Sequence, residues 1–145
     1  MVEILNNSVL LVAILANFAA QMIKFILTFT QTGKIRPHVL IEPGGMPSSH
    51  SALVAALAAG IGNTQGWDTP QFAIALVFAV IVMYDAAGIR LAAGKQAKVI
   101  NQIIGEIFDP ETGAEIDPLK ELLGHTPIQV VAGAALGIAI AWILL

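Results

Sequence analysis

Residues 8–30 read SVLLVAILANFAAQMIKFILTFT. The run is apolar, broken chiefly by Gln21 and Lys24, and it meets the ~20 residues that a bilayer asks of a spanning helix. Three more stretches follow the same pattern. One runs from about His50 to Asn63; it is Ala-rich and short for a span, so it needs shielding by its neighbours. The others cover about Gln71 to Ala87 and Pro127 to Leu145. Small residues crowd the second and fourth runs (AALAAGIG and AGAALGIAIA), which lets helix backbones approach closely in lipid. The expected fold is all-α: a polytopic membrane helix bundle of about four transmembrane helices, forming a single membrane domain over residues 1–145.

Composition points the same way. Of 145 residues, 57% are hydrophobic and only 12% charged, against about 25% charged in an ordinary soluble domain. A soluble fold of this length exposes much of its surface, and so few charges would hardly solvate it. Cysteine is absent, which removes disulfides, thiolate metal sites and cysteine nucleophiles. A net charge of −3 gives no ground for a nucleic-acid partner. The N-terminus, MVEILNN, carries an acid where a cleaved signal peptide has a basic region, so none is expected.

If all four runs span, loop 31–49, with Lys34 and Arg36, shares a side with segment 88–125, which holds Arg90, Lys95, Lys98 and Lys120. Lys24 lies in the last third of the first helix and reaches toward that side. All 7 Lys and Arg then gather at one face, which the positive-inside rule makes cytoplasmic. Within this polar segment, residues 92–108 (AAGKQAKVINQIIGEIF) set Val99, Ile100, Ile103, Ile104, Ile107 and Phe108 at helical spacing. Lys95, Lys98, Asn101, Gln102 and Glu106 form the polar side. This is expected to be an interfacial amphipathic helix or a cap over the bundle mouth. DPETGAEIDP reads as a solvated loop.

Two histidines stand at matching places. His50 ends GGMPSSH before the second run, and His125 ends ELLGH before the fourth. Both sit at the cytoplasmic start of a helix, where unpaired backbone N–H groups and the dipole attract anions. Gly44 and Gly45 allow close backbone approach, and Ser48 and Ser49 add hydroxyl donors. Helix capping explains part of this: Ser49 is a good N-cap, and Thr126-Pro127-Ile128-Gln129 fits a capping box. Two histidine-bearing caps beside every cation of the chain ask for more than capping. Lys24 is either a snorkelling surface cation or a functional one, since intramembrane cations are costly. Asp85 and Arg90, in MYDAAGIR, are five apart and do not stack on a helix; an ion pair between them is not favoured, and Asp85 is free to orient a histidine or pair with Lys24. His38, in KIRPHVLIEP, reads as a surface residue.

No HExxH, carboxylate cluster or P-loop appears, so metal-dependent hydrolysis and nucleotide binding have little support, and neither a metal nor a cofactor is expected. Two imidazoles, several cations and helix-terminal N–H groups suit metal-free chemistry on a phosphoryl group. One imidazole attacks phosphorus, the other protonates the leaving oxygen, and the cations stabilise the equatorial oxygens.

GGMPSSHSA, YDAAGIRLAAGKQAKVIN and LKELLGHTPIQVVAG, in that order between apolar runs, resemble the divergent small-membrane branch of the type 2 phosphatidic acid phosphatase superfamily. That superfamily also holds the vanadium-dependent haloperoxidases. The likeness extends from about Gln21 to Gly137, and its specificity lies in the three motifs together. By this resemblance Pro47-Ser48-Ser49-His50 corresponds to the family's Pro-Ser-Gly-His, making Ser48 a phosphate ligand and His50 the general acid. His125 corresponds to the histidine that attacks phosphorus or ligates vanadate. Lys24 and Arg36-Pro37 resemble parts of the first motif, here spaced more widely. Where the family has an Arg ahead of the attacking histidine, this chain has Leu119, with Lys120 next to it; Arg90 is the substitute. Where the family has an acid after that histidine, this chain has Gln129.

The function expected is phosphatase-like: metal-independent hydrolysis of a phosphorylated lipid or similar phosphomonoester through a phosphohistidine. The alternative is a non-catalytic protein of the same fold that binds phosphate or a lipid headgroup. A transporter would need a homo-oligomer, because four spans make a thin pathway. Expected partners are a phosphorylated lipid, or a small phosphate-containing molecule, and membrane lipid.

Overall fold

Four helices begin in the same way. The side-chain oxygens of Asn7, Ser48, Thr69 and Thr126 each accept the backbone N–H three residues ahead, which satisfies an N–H that a helix start leaves unpaired. Pro70 and Pro127 follow the last two caps, at positions where a missing N–H costs nothing. Glycine ends three of these helices, and Gly33 does so in the left-handed conformation (φ 63°). A computed structural model describes residues 2–35, 44–107, 117–121 and 123–145. Its helices are α1 (Val2–Leu5), α2 (Ser8–Thr32), α3 (Ser49–Gln65), α4 (Pro70–Ala87), α5 (Ile89–Ile107) and α6 (Pro127–Leu144), with no strand among the described residues. Ser48 is the cap of α3 where the sequence favoured Ser49, because the backbone is still extended at Ser48 (φ −70°, ψ 116°).

The interior is built from small residues. Ala13, Ala16 and Ala20 of α2, Ala52, Ala56 and Ala59 of α3, and Ala141 of α6 form the main core. Val54, Ala58, Ala75 and Ala79 join α3 to α4. Large apolar side chains point outward instead, among them Phe18, Ile74, Phe78, Ile81 and Trp142. A soluble protein reverses this arrangement. Lipid removes the penalty for exposed leucines and makes close backbone packing the source of helix association.

Helix α3 lies at the centre, packed against α2, α4 and α6. Gly133 and Gly137 bring α6 onto it: a Cβ at Gly133 would overlap the Ser48 carbonyl, and one at Gly137 the Ala52 carbonyl. Three stretches are long and apolar enough to cross a membrane: Ser8–Thr32, Pro70–Gly105 and Pro127–Leu144. The third expected run, α4, thus continues into α5 past a break at Gly88. With 17 residues, α3 falls short of a full span and is enclosed by its neighbours, as its alanines suggest.

Helix α5 is less free than its polar side implied. The Asn101 amide donates to the Leu119 carbonyl and the Glu121 carboxylate, while its oxygen accepts the Leu119 N–H, each at 2.9 Å. Gly94 faces the same strip of chain, with no room for a Cβ beside the backbone of Glu121 and Leu123. Gly94 and Asn101 therefore hold Leu119, Glu121 and Leu123 against α5, while Val99, Ile100 and Ile103 stay exposed. Phe108 and most of DPETGAEIDP lie outside the described residues.

Candidate functional site

The path of segment 123–126 places His125. Gly124 (φ 83°) sits against the Arg90 and Leu91 backbone, where any side chain would collide. The His125 N–H then donates to the Ala86 carbonyl at 2.9 Å, using an acceptor that the end of α4 leaves free. On the opposite side, the Ser48 N–H donates to the Gln129 carbonyl at 3.0 Å, tying the start of α3 to the first turn of α6. The two histidine-bearing helix starts are thus stitched together and to the corner between α4 and α5.

His50 and His125 consequently line one cavity of about 30 Å³, together with Val82, Asp85, Ala86, Arg90 and Gly124. That is room for about two water-sized groups. His125 is buried and His50 is exposed. Arg90 Nε donates to Asp85 Oδ2 at 2.5 Å, so the disfavoured ion pair does form. The helix-spacing argument failed because Gly88 (φ −107°, ψ −82°) interrupts the helix between the two residues and resets their phase. Asp85 is thereby committed to Arg90 and leaves the imidazoles to other partners.

Lys24 and Gly45 adjoin this cavity without lining it. Lys24 is only 4% exposed, and its Cγ and Cδ run over Gly45, where a Cβ would lie 2.8 Å from Cδ. Gly45 (φ 81°) therefore needs glycine for both conformation and space. Its backbone approaches the His125 ring, and the charge of Lys24 is felt at both histidines. Ser48 and Ser49 lie beneath, buried, and outside the cavity lining. The Ser48 hydroxyl accepts from the Ser51 N–H at 3.3 Å and the Ser51 hydroxyl at 2.9 Å, which leaves its own proton to donate. Ser51 was not anticipated; only its spacing of three from the cap hinted at it. Arg36 and His38 lie outside the described residues.

Gln129 does both things expected of it with one atom. Its Oε1 accepts the Thr126 N–H at 3.0 Å, closing the capping box, and stands 3.3 Å from His125 Nδ1. With the amide in that orientation, a neutral ring that donates to Oε1 carries its proton on Nδ1 and leaves Nε2 unprotonated.

The Divergent PAP2 family model matches residues 5–140. This chain belongs to that family. It is also 41% identical, over 152 aligned positions, to the uncharacterized membrane protein YuiD of Bacillus subtilis (strain 168), an alignment covering 98% of this chain and 96% of the relative. No solved structure matches the chain. Membership and the likeness to YuiD make it a multi-pass membrane protein.

For a member of the divergent PAP2 family, the protonation of His125 is the main electrostatic question. Burial holds its pKa below the usual 6.5, and the His50 and Lys24 charges act in the same sense; the contacts to Gln129 and Gly45 oppose them. Titration of this ring by NMR is expected to give a midpoint below 6.5. As pH falls past about 6.5 the unfolded chain takes up the proton first, so this contribution to stability is complete above about 6.5 and is lost from there down to the folded midpoint. A midpoint at or above 6.5 would mean that the two hydrogen bonds outweigh burial.

Proposed function

We propose that this divergent PAP2 protein is a membrane phosphatase that hydrolyses a phosphorylated lipid or similar phosphomonoester without a metal. The observation that carries this is the pairing of a buried His125, its Nδ1 held beside the Gln129 oxygen, with His50 and Arg90 around one cavity. His125 Nε2 attacks phosphorus while the bond to the leaving oxygen breaks, and His50 gives that oxygen its proton. Water then attacks the phosphohistidine, His50 takes the water's proton, and the N–P bond breaks to release phosphate. Arg90, and Lys24 from beside the cavity, stabilise the phosphoryl oxygens. In this reading α2, α3, α4 and α6 cross the membrane, α5 lies at the interface, and the cavity opens on the cytoplasmic face.

One observation favours a second reading. Gln129 is neutral, and an amide orients an imidazole without offsetting the positive charge that develops on it. A protein of the same fold that binds phosphate or a lipid headgroup without turnover fits that substitution.

Assay of the purified protein on phosphatidate and isoprenyl phosphates tests the choice. Release of inorganic phosphate should resist EDTA and be inhibited by vanadate, which imitates the five-coordinate phosphoryl group. Activity that disappears on chelation and returns with a divalent ion refutes the metal-free mechanism, and phosphate binding without release supports the second reading. Orientation has its own test, helped by the absence of native cysteine. Lys34→Cys and Lys98→Cys should label from the cytoplasmic side and Asp68→Cys from the other. Labelling of all three from one side contradicts the four-span arrangement.

A further inference from the structure

A second, larger cavity lies deeper among the helices. It holds about 180 Å³ and is almost wholly apolar. Its floor is made of α3 alanines, Ala55, Ala58 and Ala59, and its α4 wall of Phe72, Leu76, Ala79 and Met83. Those four α4 positions follow helical spacing along one face, and the next turn of the same helix supplies Ala86 to the histidine cavity. Ala134 and Ile138 of α6 form the facing wall, and α4 and α6 make few contacts with each other, so the cavity is open sideways between them. The end away from the histidines is closed by aromatic rings: Trp67 stands 5.0 Å from Phe72 and 6.5 Å from Trp142, centroid to centroid.

We propose that this groove seats one hydrocarbon chain of the phosphorylated ligand, entering sideways between α4 and α6, and that Trp67 and Trp142 set the chain length that fits. This rests on the reading of the His50–His125 cavity as the phosphate site. Phe72 and Met83 are eleven residues apart, about 16 Å along a helix, close to half of a ~30 Å hydrocarbon core. Ala86, in the histidine cavity, lies fourteen residues from Phe72, about 21 Å along the helix, so a chain whose phosphate sits at the histidines passes the bilayer midplane before it meets the aromatic end. Burial from lipid brings little gain in itself, because lipid tails are as apolar as the groove. Selection comes from fit, and the aromatic end is where fit changes abruptly.

The test uses the full chain in nanodiscs with inorganic phosphate, octyl phosphate as a short chain, and hexadecyl phosphate with and without bromine at its terminal carbon. Both tryptophans of the protein line the groove, so quenching of tryptophan emission by the bromine reports on the chain, while phosphorus NMR reports on the headgroup. In the wild type the bromine should quench tryptophan emission, and hexadecyl phosphate should bind more tightly than octyl phosphate at equal concentration in the bilayer, since lipid has already taken both chains from water and fit alone separates them. Ala134→Phe, filling the groove from α6, and Leu76→Phe, narrowing it from α4, should remove that advantage and the quenching. Inorganic phosphate binding should stay within about twofold, as for substitutions remote from a site. Trp142→Ala should extend the preference to longer chains. Unchanged hexadecyl phosphate binding and quenching in both filled variants overturns the chain seat while leaving the phosphate site standing. Quenching that persists when no phosphate binds separates groove from site and overturns the proposal. Cross-linking of two copies through position 142 would show a second copy as the occupant and overturn it as well.

Discussion

Replacing His125 by alanine is expected to lower phosphate release by at least about 10⁴-fold, as loss of a nucleophile or its base does in other covalent hydrolases. No other described side chain lining the cavity is a ready nucleophile toward phosphorus. Arg90 is charged, its carboxylate partner Asp85 is engaged, and His50 is cast as the proton donor. Binding of inorganic phosphate should change far less, because Arg90, Lys24 and the helix-start N–H groups provide most of the attraction. His125 is buried and its backbone N–H is tied to Ala86, so alanine leaves a small void without cutting the backbone stitch. His125→Asn controls for that void by keeping a polar group near the Gln129 oxygen. Turnover that survives both substitutions rules out a phosphohistidine at this position.

The other large effect belongs to Gln129→Glu, expected to raise turnover at least about tenfold, roughly 1.4 kcal/mol of transition-state stabilisation. A carboxylate has two oxygens, so it keeps the bond from the Thr126 N–H while accepting from His125 Nδ1. It also places negative charge in the first turn of α6, where the helix dipole favours it. The added charge stabilises the imidazolium character that develops as the N–P bond forms. It also raises the His125 pKa, which works against attack by the neutral ring. Burial and the nearby cations start that pKa low, so the ring retains a neutral fraction after the change. Faster turnover with little change in phosphate affinity supports the enzyme reading. A fast wild type slowed by Gln129→Glu makes the amide the working partner. Two inert forms that still bind phosphate leave the binder.

The helices were legible because lipid imposes long apolar runs, and the central place of α3 because a short, alanine-rich run needs cover. The pairing of His50 with His125 was legible from their matching position before two helix starts. Three features were not. The Asp85–Arg90 pair depends on the backbone angle at Gly88, which no periodicity reveals. Asn101 reads as a solvated polar face, yet its amide meets the backbone of Leu119, eighteen residues on, and such long-range pairing leaves no local mark. Ser48 and Ser49 looked like donors aimed at a ligand. The fold buries both, and Ser48 depends on Ser51 for its hydrogen bonds.

The bond from the Ser48 N–H to the Gln129 carbonyl, with Gly133 pressed against Ser48 one turn deeper, has a mechanical consequence. Membrane helices meet changes in bilayer thickness largely by tilting. A tilt of α6 relative to α3 must hinge where the two backbones are locked, and that lock runs from Ser48 and Gln129 to Ala52 and Gly137, in the histidine half of the pair. The far ends, around Gln65 and Leu144, swing through the widest arc, while the two imidazoles sit next to the pivot and hardly separate. A thicker or thinner bilayer would therefore reshape the apolar half of the bundle and leave the spacing of its histidines almost untouched.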